Sequence, residues 1–129
     1  MKKRAAPETR LQIDIKQYLT VALGPEIYWT ASLTGTYLSM AARTRAKAMG
    51  VQRGLPDLLF VFPDGITRFI ELKAGASLSP EQRDFRDRCA AHDIWALARS
   101  IDDVATALTR WGAKLRAHPF VSPVIGVAA

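Results

Sequence analysis

Three charged residues whose types suit metal or phosphate chemistry, Asp57, Glu71 and Lys73, stand at the ends of two β-rich apolar runs. The runs cover 58–62 and 68–73 and are joined by 63–67, which contains the turn-forming sequence Pro-Asp-Gly. Two such runs separated by a short linker with these residues predict a β-hairpin. The hairpin therefore has to position the three charged side chains.

A symmetric hairpin predicts that Asp57 lies opposite Lys73 and that Leu59 lies opposite Glu71. Direct cross-strand partners share a face of the sheet, and successive residues alternate between faces. We therefore expect Asp57, Glu71 and Lys73 to point to the same side, with Glu71 and Lys73 about 7 Å apart.

Charges of this kind at the ends of buried strands are costly unless something compensates them. Mg²⁺ would do so, since it is held by one or two carboxylates together with waters and phosphate oxygens. A lysine beside the ion can orient an attacking water or stabilise charge that develops on a phosphate. The alternative is an Asp–Lys–Glu salt-bridge cluster without a metal.

Three blocks of sequence carry a family resemblance: GLPDL at 54–58, IELK at 70–73 and LSPEQ at 78–82. In this order they resemble the PD-(D/E)xK nuclease superfamily and, within it, the VRR-NUC branch. The similarity extends from about Glu8 to Ser100. It implies a restriction-endonuclease-like core and cleavage of structured DNA, such as four-way junctions, with Mg²⁺ or Mn²⁺.

The resemblance also implies a role for individual residues. Asp57 and Glu71 match the metal-binding carboxylates, and the carbonyl of Leu72 matches a further ligand. Lys73 matches the catalytic lysine, which would position the attacking water. Direct attack by water is the expected route, because no residue resembles a covalent nucleophile.

Gln82 has two interpretations. Ser79, Pro80 and Gln82 form the pattern of a helix capping box. Yet Gln82, Phe85 and Cys89 recur at helical spacing, which places Gln82 at the head of a buried face. By resemblance, Gln82 completes the site and orients Lys73.

Glu8 is equally open. It lies on the inward stripe of a predicted first helix, at helical spacing from Leu11 and Ile15. A glutamate in a first turn also complements the helix dipole and needs no other role. By resemblance, Glu8 reaches a second metal ion through water.

The net charge of +6 favours a polyanionic partner. Residues 43–53 contain four basic side chains and no acid: Arg43, Arg45, Lys47 and Arg53. Such a run is often only a solvated face. Because this run directly precedes Asp57, we expect it to bind DNA phosphates.

The remaining pattern predicts a helix from Pro7, a strand at 27–32, a weak helix at 37–49, a helix after Ser79, a strand at 93–98 and a helix from Ser100 to Gly112. With the hairpin, this order indicates an α/β fold with a restriction-endonuclease-like core, a mixed β-sheet flanked by helices. The whole chain, 1–129, is expected to form a single domain.

Residues 1–6 form a basic arm, and 113–129 form an apolar C-terminal tail that includes Phe120 and Val127. An apolar tail requires a surface to cover, either on its own subunit or across a homodimer. The single cysteine excludes an internal disulfide, and Cys89 is expected to be a buried thiol. No apolar run is long enough to span a membrane. We expect a cytoplasmic protein, bacterial or made by a phage in its host.

The function that these features favour is a metal-dependent endonuclease acting on DNA. A nucleic-acid-binding module that lacks catalysis is one alternative, although the intact set of Asp57, Glu71 and Lys73 argues against it. An RNA-directed nuclease on the same scaffold is another.

Overall fold

The protein was analysed as a computed structural model, which describes residues 6–32 and 39–116. Within these ranges the elements are α1 (Pro7–Ala22), β1 (Tyr28–Ala31), α2 (Met40–Ala48), β2 (Leu58–Val61), β3 (Thr67–Leu72), α3 (Pro80–Cys89), β4 (Trp95–Ala98) and α4 (Ile101–Arg110). This order confirms the predicted α/β class.

The strands form one four-stranded sheet in the order β1-β2-β3-β4. β1, β2 and β3 pair antiparallel, whereas β4 lies parallel to β3 after a crossover through α3. The sheet is therefore mixed, as expected. Because of these strand directions, one end of the sheet contains the last residues of β1, β3 and β4 and the first residue of β2. We call this end the Asp57 end.

The β2–β3 turn is tighter than the sequence pattern indicates. Gly65 N–H donates to the Phe62 carbonyl over 2.8 Å, and Phe62 N–H donates to the Ile66 carbonyl over 3.1 Å. Gly65 has a φ of 81°, in the left-handed region. This is a three-residue hairpin loop, in which a β-turn is followed by a left-handed glycine.

The tight turn changes the register. Leu58 pairs with Ile70 and Leu59 with Phe69, so the prediction that Leu59 lies opposite Glu71 is wrong by two residues. If the observed register is continued by one residue, Asp57 lies opposite Glu71. The prediction placed Asp57 opposite Lys73. A shift of two preserves the alternation of faces. The prediction that Asp57, Glu71 and Lys73 share a face does not depend on this difference in register.

The core lies between one face of the sheet and the helices α1 and α4. Ile15 and Leu19 of α1 and Val104 and Leu108 of α4 are fully buried there, as part of one cluster with the inward strand residues. The opposite face receives α3, whose Phe85 ring packs edge-on against Phe69 at 5.0 Å between centroids. No helix in the described ranges is long and apolar enough to cross a membrane.

Cys89, at the end of α3, is buried as predicted. Burial raises the pKa of its thiol.

The helix α2 begins later than predicted. Ser39 caps it by accepting from Ala42 N–H over 3.1 Å, and the predicted first turn from Tyr37 lies outside the described residues. None of the α2 residues is buried. This helix therefore owes little of its stability to the core, which explains its weak hydrophobic pattern.

The beginning of the predicted tail packs on its own subunit. Ala113 is buried in the core cluster and Leu115 packs against it. Arg116 N–H donates to the carbonyl of Ala22 over 2.9 Å, and the Arg116 guanidinium donates to the carbonyl of Leu23 over 2.7 Å. The apolar residues from Phe120 to Val127 lie outside the described residues.

Candidate active site

The Asp57 end of the sheet brings the three predicted residues together. Asp57 immediately precedes β2, and its Oδ2 accepts from Leu72 N–H over 2.8 Å. Lys73 directly follows β3, and its N–H donates to the carbonyl of Ala98 over 3.1 Å. Asp57 is thus held to β3 through its side chain, and Lys73 is held to β4 through its backbone.

Glu71 is a buried carboxylate with incomplete hydrogen bonding. Only 2% of its surface is exposed. Its Oε2 accepts from Gln82 Nε2 over 3.2 Å, while its buried Oε1 has no hydrogen-bond partner in the described part of the chain. An unsatisfied buried oxygen of this kind is uncommon and needs an explanation.

The pKa of Glu71 is raised from 4.5 to about 9, and burial is the largest cause. The hydrogen bond that a protonated Glu71 can give to Asp57 and the negative charges of Asp57 and Glu8 contribute to this rise, whereas the positive charge of Lys73 opposes it. Two carboxyl groups that share a buried space without a cation retain a proton. A bound cation would remove the need for that proton.

The Lys73 side chain contacts the first turn of α1. Its Nζ lies 3.8 Å from Oε1 of Glu8, and its side chain is only 11% exposed. Glu8 contacts Lys73, although its side chain is 49% exposed and is not buried on the inward stripe of α1. Any link from Glu8 to a second metal ion stays a prediction.

Gln82 is a capping residue of α3 and also contacts Glu71. Its Oε1 accepts from Ser79 N–H over 2.8 Å, and Ser79 Oγ accepts from Gln82 N–H over 3.2 Å, which completes the capping box. Its Nε2 is directed to Glu71. The expectation that Gln82 orients Lys73 is replaced by a contact with Glu71, because capping fixes the amide with its nitrogen towards that carboxylate.

Gly54, the first residue of the GLPDL block, has a packing role. Its φ is 95°, and a Cβ at this position would lie 2.6 Å from the carbonyl oxygen of Glu81. The loop before Asp57 can therefore approach the first turn of α3 only with glycine at this position. A close backbone approach of this kind cannot be read from the sequence.

The four predicted DNA-binding residues fall into two places. Arg43, Arg45 and Lys47 are exposed on α2. Arg53 lies by the first turn of α3, 4.0 Å from the carboxylate of Glu81. The chain leaves the sheet at the end of β1 and returns at Asp57, whose carbonyl accepts from Ser32 N–H over 2.8 Å. The whole basic segment is thus inserted at the Asp57 end.

The carboxylates at the Asp57 end of the sheet are suitable ligands for a metal ion. In the described residues, no three His, Cys, Asp or Glu side chains are grouped so as to hold a metal ion. Mg²⁺ does not require three, since it is commonly held by two carboxylates, waters and substrate oxygens. Asp57 and Glu71, with the unpartnered Oε1, fit such an ion.

Three helices begin at this end of the sheet. α1 begins one residue before Glu8, which contacts Lys73; α3 begins two residues before Gln82, which contacts Glu71; and α4 begins three residues after Ala98, the end of β4. Helix N-termini carry partial positive charge. The Asp57 end is consequently favourable for an anion such as a phosphate.

Comparison with known proteins gives a family match for most of the chain. The family model described as the VRR-NUC domain matches residues 14–99, a stretch that includes Asp57, Glu71, Lys73 and Gln82 but not Glu8. No curated protein matches the chain.

Two solved structures share the fold. One, described as a VRR_NUC domain protein, is 18% identical, with a TM-score of 0.57 over 85% of this chain and 91% of the other. Another, described as a VRR_NUC domain, is 20% identical, with a TM-score of 0.52 over 83% of this chain and 99% of the other. At these identities the likeness concerns the fold.

Proposed function

This chain belongs to the VRR-NUC domain family, a family of nuclease-type domains, and from that premise we propose that it is a metal-dependent endonuclease that hydrolyses DNA phosphodiesters. The observation that carries the proposal is the Glu71 side chain. It is buried beside Asp57 with one oxygen unpartnered. A buried carboxylate is costly unless it is compensated, and a bound cation would stabilise it.

Asp57 and Glu71 would hold Mg²⁺ or Mn²⁺, together with the carbonyl of Leu72. The ion, when bound, would supply Lewis-acid stabilisation of the phosphate and of the attacking water. Lys73 positions that water and offsets the negative charge that develops on the phosphate. Its low exposure supports this role, since a desolvated ammonium interacts more strongly with nearby charge.

Gln82 and Glu8 hold these groups in place. Gln82 fixes one oxygen of Glu71 through its Nε2 and leaves the other oxygen free for a ligand. Glu8 restrains the Lys73 ammonium from the first turn of α1. Both residues act through a neighbour and are positioning residues.

The basic segment would bind the DNA backbone. Arg43, Arg45 and Lys47 are exposed on a helix with no buried residue, so their charges are available to phosphates. Arg53 lies between this helix and the first turn of α3. The segment is inserted next to Asp57, which supports its use in holding the strand to be cut.

We further propose branched DNA, such as a four-way junction, as the substrate and a homodimer as the working unit. A symmetric junction requires two opposed cuts, and this domain carries one set of Asp57, Glu71 and Lys73. A twofold dimer provides the second set in the matching position.

A cleavage panel tests the proposal. Junction, flap, nicked and linear DNA, and an RNA of the same sequence, are incubated with the protein and Mg²⁺ or Mn²⁺. We expect metal-dependent cleavage of branched DNA, which Glu71→Gln abolishes and Glu26→Gln does not. Glu26 is an exposed glutamate just before β1, at the far end of the sheet.

Each alternative predicts a different result. Cleavage of RNA alone would favour the RNA-directed enzyme, and DNA binding without cleavage under either metal would favour the binding module. Full activity in Glu71→Gln would remove the assignment of catalysis to this site.

A further inference from the structure

The loop of residues 74–79 connects Lys73 at the end of β3 to the start of α3, which carries Gln82. It follows Lys73 directly and ends at Ser79, the cap of α3. Residues 74–77 are exposed and small, namely Ala, Gly, Ala and Ser. At Gly75 nothing lies within 4 Å of the position that a Cβ would occupy. A large ligand can therefore approach the backbone of this loop closely.

Two arginines flank the loop, one on each side. The Arg99 guanidinium donates to the carbonyl of Ala76 over 3.3 Å, and the Arg83 guanidinium donates to the carbonyl of Leu78 over 2.9 Å. Arg99 directly follows β4, and Arg83 is on the first turns of α3. Both side chains are exposed.

In the described ranges neither guanidinium has a carboxylate within 4.0 Å, and each donates to an uncharged carbonyl. Most arginines of the described chain differ in this respect. Six have a carboxylate within 4.0 Å: Arg10, Arg53, Arg68, Arg86, Arg88 and Arg110. Uncompensated positive charge is thus concentrated next to Lys73 as well as on α2.

We infer that Arg83 and Arg99 form a second phosphate-binding surface, separate from the basic segment, which holds the DNA backbone across residues 74–79 beside the cleaved bond. The inference rests on the proposed function and deepens it. A guanidinium gains more from a phosphate than from a neutral carbonyl, because the hydrogen bonds become charge-assisted and bidentate. The small loop residues allow a DNA strand to reach both arginines.

The test is DNA binding to the full chain in EDTA, where cleavage cannot interfere. Fluorescence anisotropy of a labelled duplex over a range of salt concentrations gives the slope of log affinity against log salt. For Arg83→Ala/Arg99→Ala we expect the magnitude of the slope to fall by about 1.8, since each lost phosphate contact removes about 0.9. Arg83→Lys/Arg99→Lys, which retains both charges, should keep most of the slope.

The matched control is Lys16→Ala/Lys114→Ala, which removes the same charge from two exposed positions. Lys16 is in the middle of α1, and Lys114 follows α4 near the end of α1. This variant should leave the slope nearly unchanged.

The outcomes separate the two claims. If the wild type and the control bind with a steep slope and the arginine variant matches them, the second surface is overturned and the proposed function stands. The second surface is also overturned if the arginine variant loses thermal stability without a change in slope. Both arginines would then serve only to stabilise the loop. If the wild type itself shows no salt-dependent binding of DNA, the proposed function fails and this inference fails with it.

Discussion

Gln82 joins the first turn of α3 to Glu71: Nε2 donates to the Glu71 carboxylate over 3.2 Å, while Oε1 accepts from Ser79 N–H over 2.8 Å. The two bonds use opposite ends of one amide. The cap therefore determines which end faces the site, and a local feature of a helix start also orients a buried carboxylate.

This relationship predicts that the two roles can be separated by mutation. Gln82→Glu retains an acceptor for Ser79 N–H, as glutamate does in capping boxes. It loses the donor to Glu71 and adds negative charge. We expect thermal stability close to that of the wild type and a loss of nuclease activity, measured by melting and by DNA cleavage at saturating Mg²⁺.

Ser79→Ala is the complementary control. It removes the hydroxyl that caps α3 and should cost about 1 kcal/mol in the free energy of unfolding, with smaller effect on cleavage. Wild-type activity in Gln82→Glu would reduce Gln82 to a capping residue.

Glu71 should make the metal-free protein less stable at higher pH. Its pKa is 4.5 in the unfolded chain and is raised to about 9 in the fold, so between these values the folded state binds more protons. Its contribution is fully present below about pH 4.5 and is lost as pH rises through about 9. Each pH unit in this window changes the free energy of unfolding by at most about 1.4 kcal/mol.

The measurement is urea unfolding in EDTA at pH 5 and pH 8 for the wild type and Glu71→Gln. Other groups titrate in both proteins, so the difference between the two is the quantity that reports on Glu71. We expect the wild type to lose stability relative to Glu71→Gln at pH 8, and Mg²⁺ to recover part of that loss. A pH-independent difference would contradict the raised pKa.

Glu8 and Lys73 should act as a pair. Lys73→Ala should lower turnover by about 10²–10³-fold, the scale for one positioned electrostatic donor. Metal affinity, measured by calorimetry, should change little because the ammonium is not a ligand. Glu8→Gln should lower turnover less, since it loosens Lys73 without removing it.

The double variant Glu8→Gln/Lys73→Ala decides how Glu8 works. If Glu8 acts through Lys73, its substitution has no further effect once Lys73 is absent. If it instead reaches a second ion through water, Glu8→Gln weakens metal binding and its effect persists in the double variant.

The basic residues of α2 should contribute to binding and not to stability. Replacing Arg43, Arg45 and Lys47 by alanine should lower the slope of log DNA affinity against log salt by about 0.9 for each phosphate contact. The melting temperature should hardly change, because no α2 residue is buried. An unchanged slope would make these residues part of an ordinary solvated face.

The homodimer is tested by light scattering at micromolar concentration, on the full chain and on a version that ends at Arg116. The truncated version keeps residues 113–116 because they contribute to the fold. Ala113 is part of the core, Leu115 packs against it, and Arg116 donates to the carbonyl of Leu23. We expect a dimer for the full chain and a monomer for the truncated one. A monomeric full chain contradicts the proposal, and a dimer that persists after truncation places the interface elsewhere.

Local sequence patterns were sufficient to predict the order of the helices and strands. Alternation along a strand has a period of two, so an error of two residues in the predicted register does not alter which residues are predicted to share a face. The capping box at Ser79 and Gln82 was also local, since it depends on residues three apart.

Which elements meet at the site depends on tertiary packing. Glu8 reaches Lys73 because α1 packs across β3, and Gln82 reaches Glu71 because the loop 74–79 returns α3 over the same strand. Gly54 is needed because two backbones approach closely there. Periodicity reports which face of an element is buried, but the distances between elements depend on packing between residues far apart in sequence.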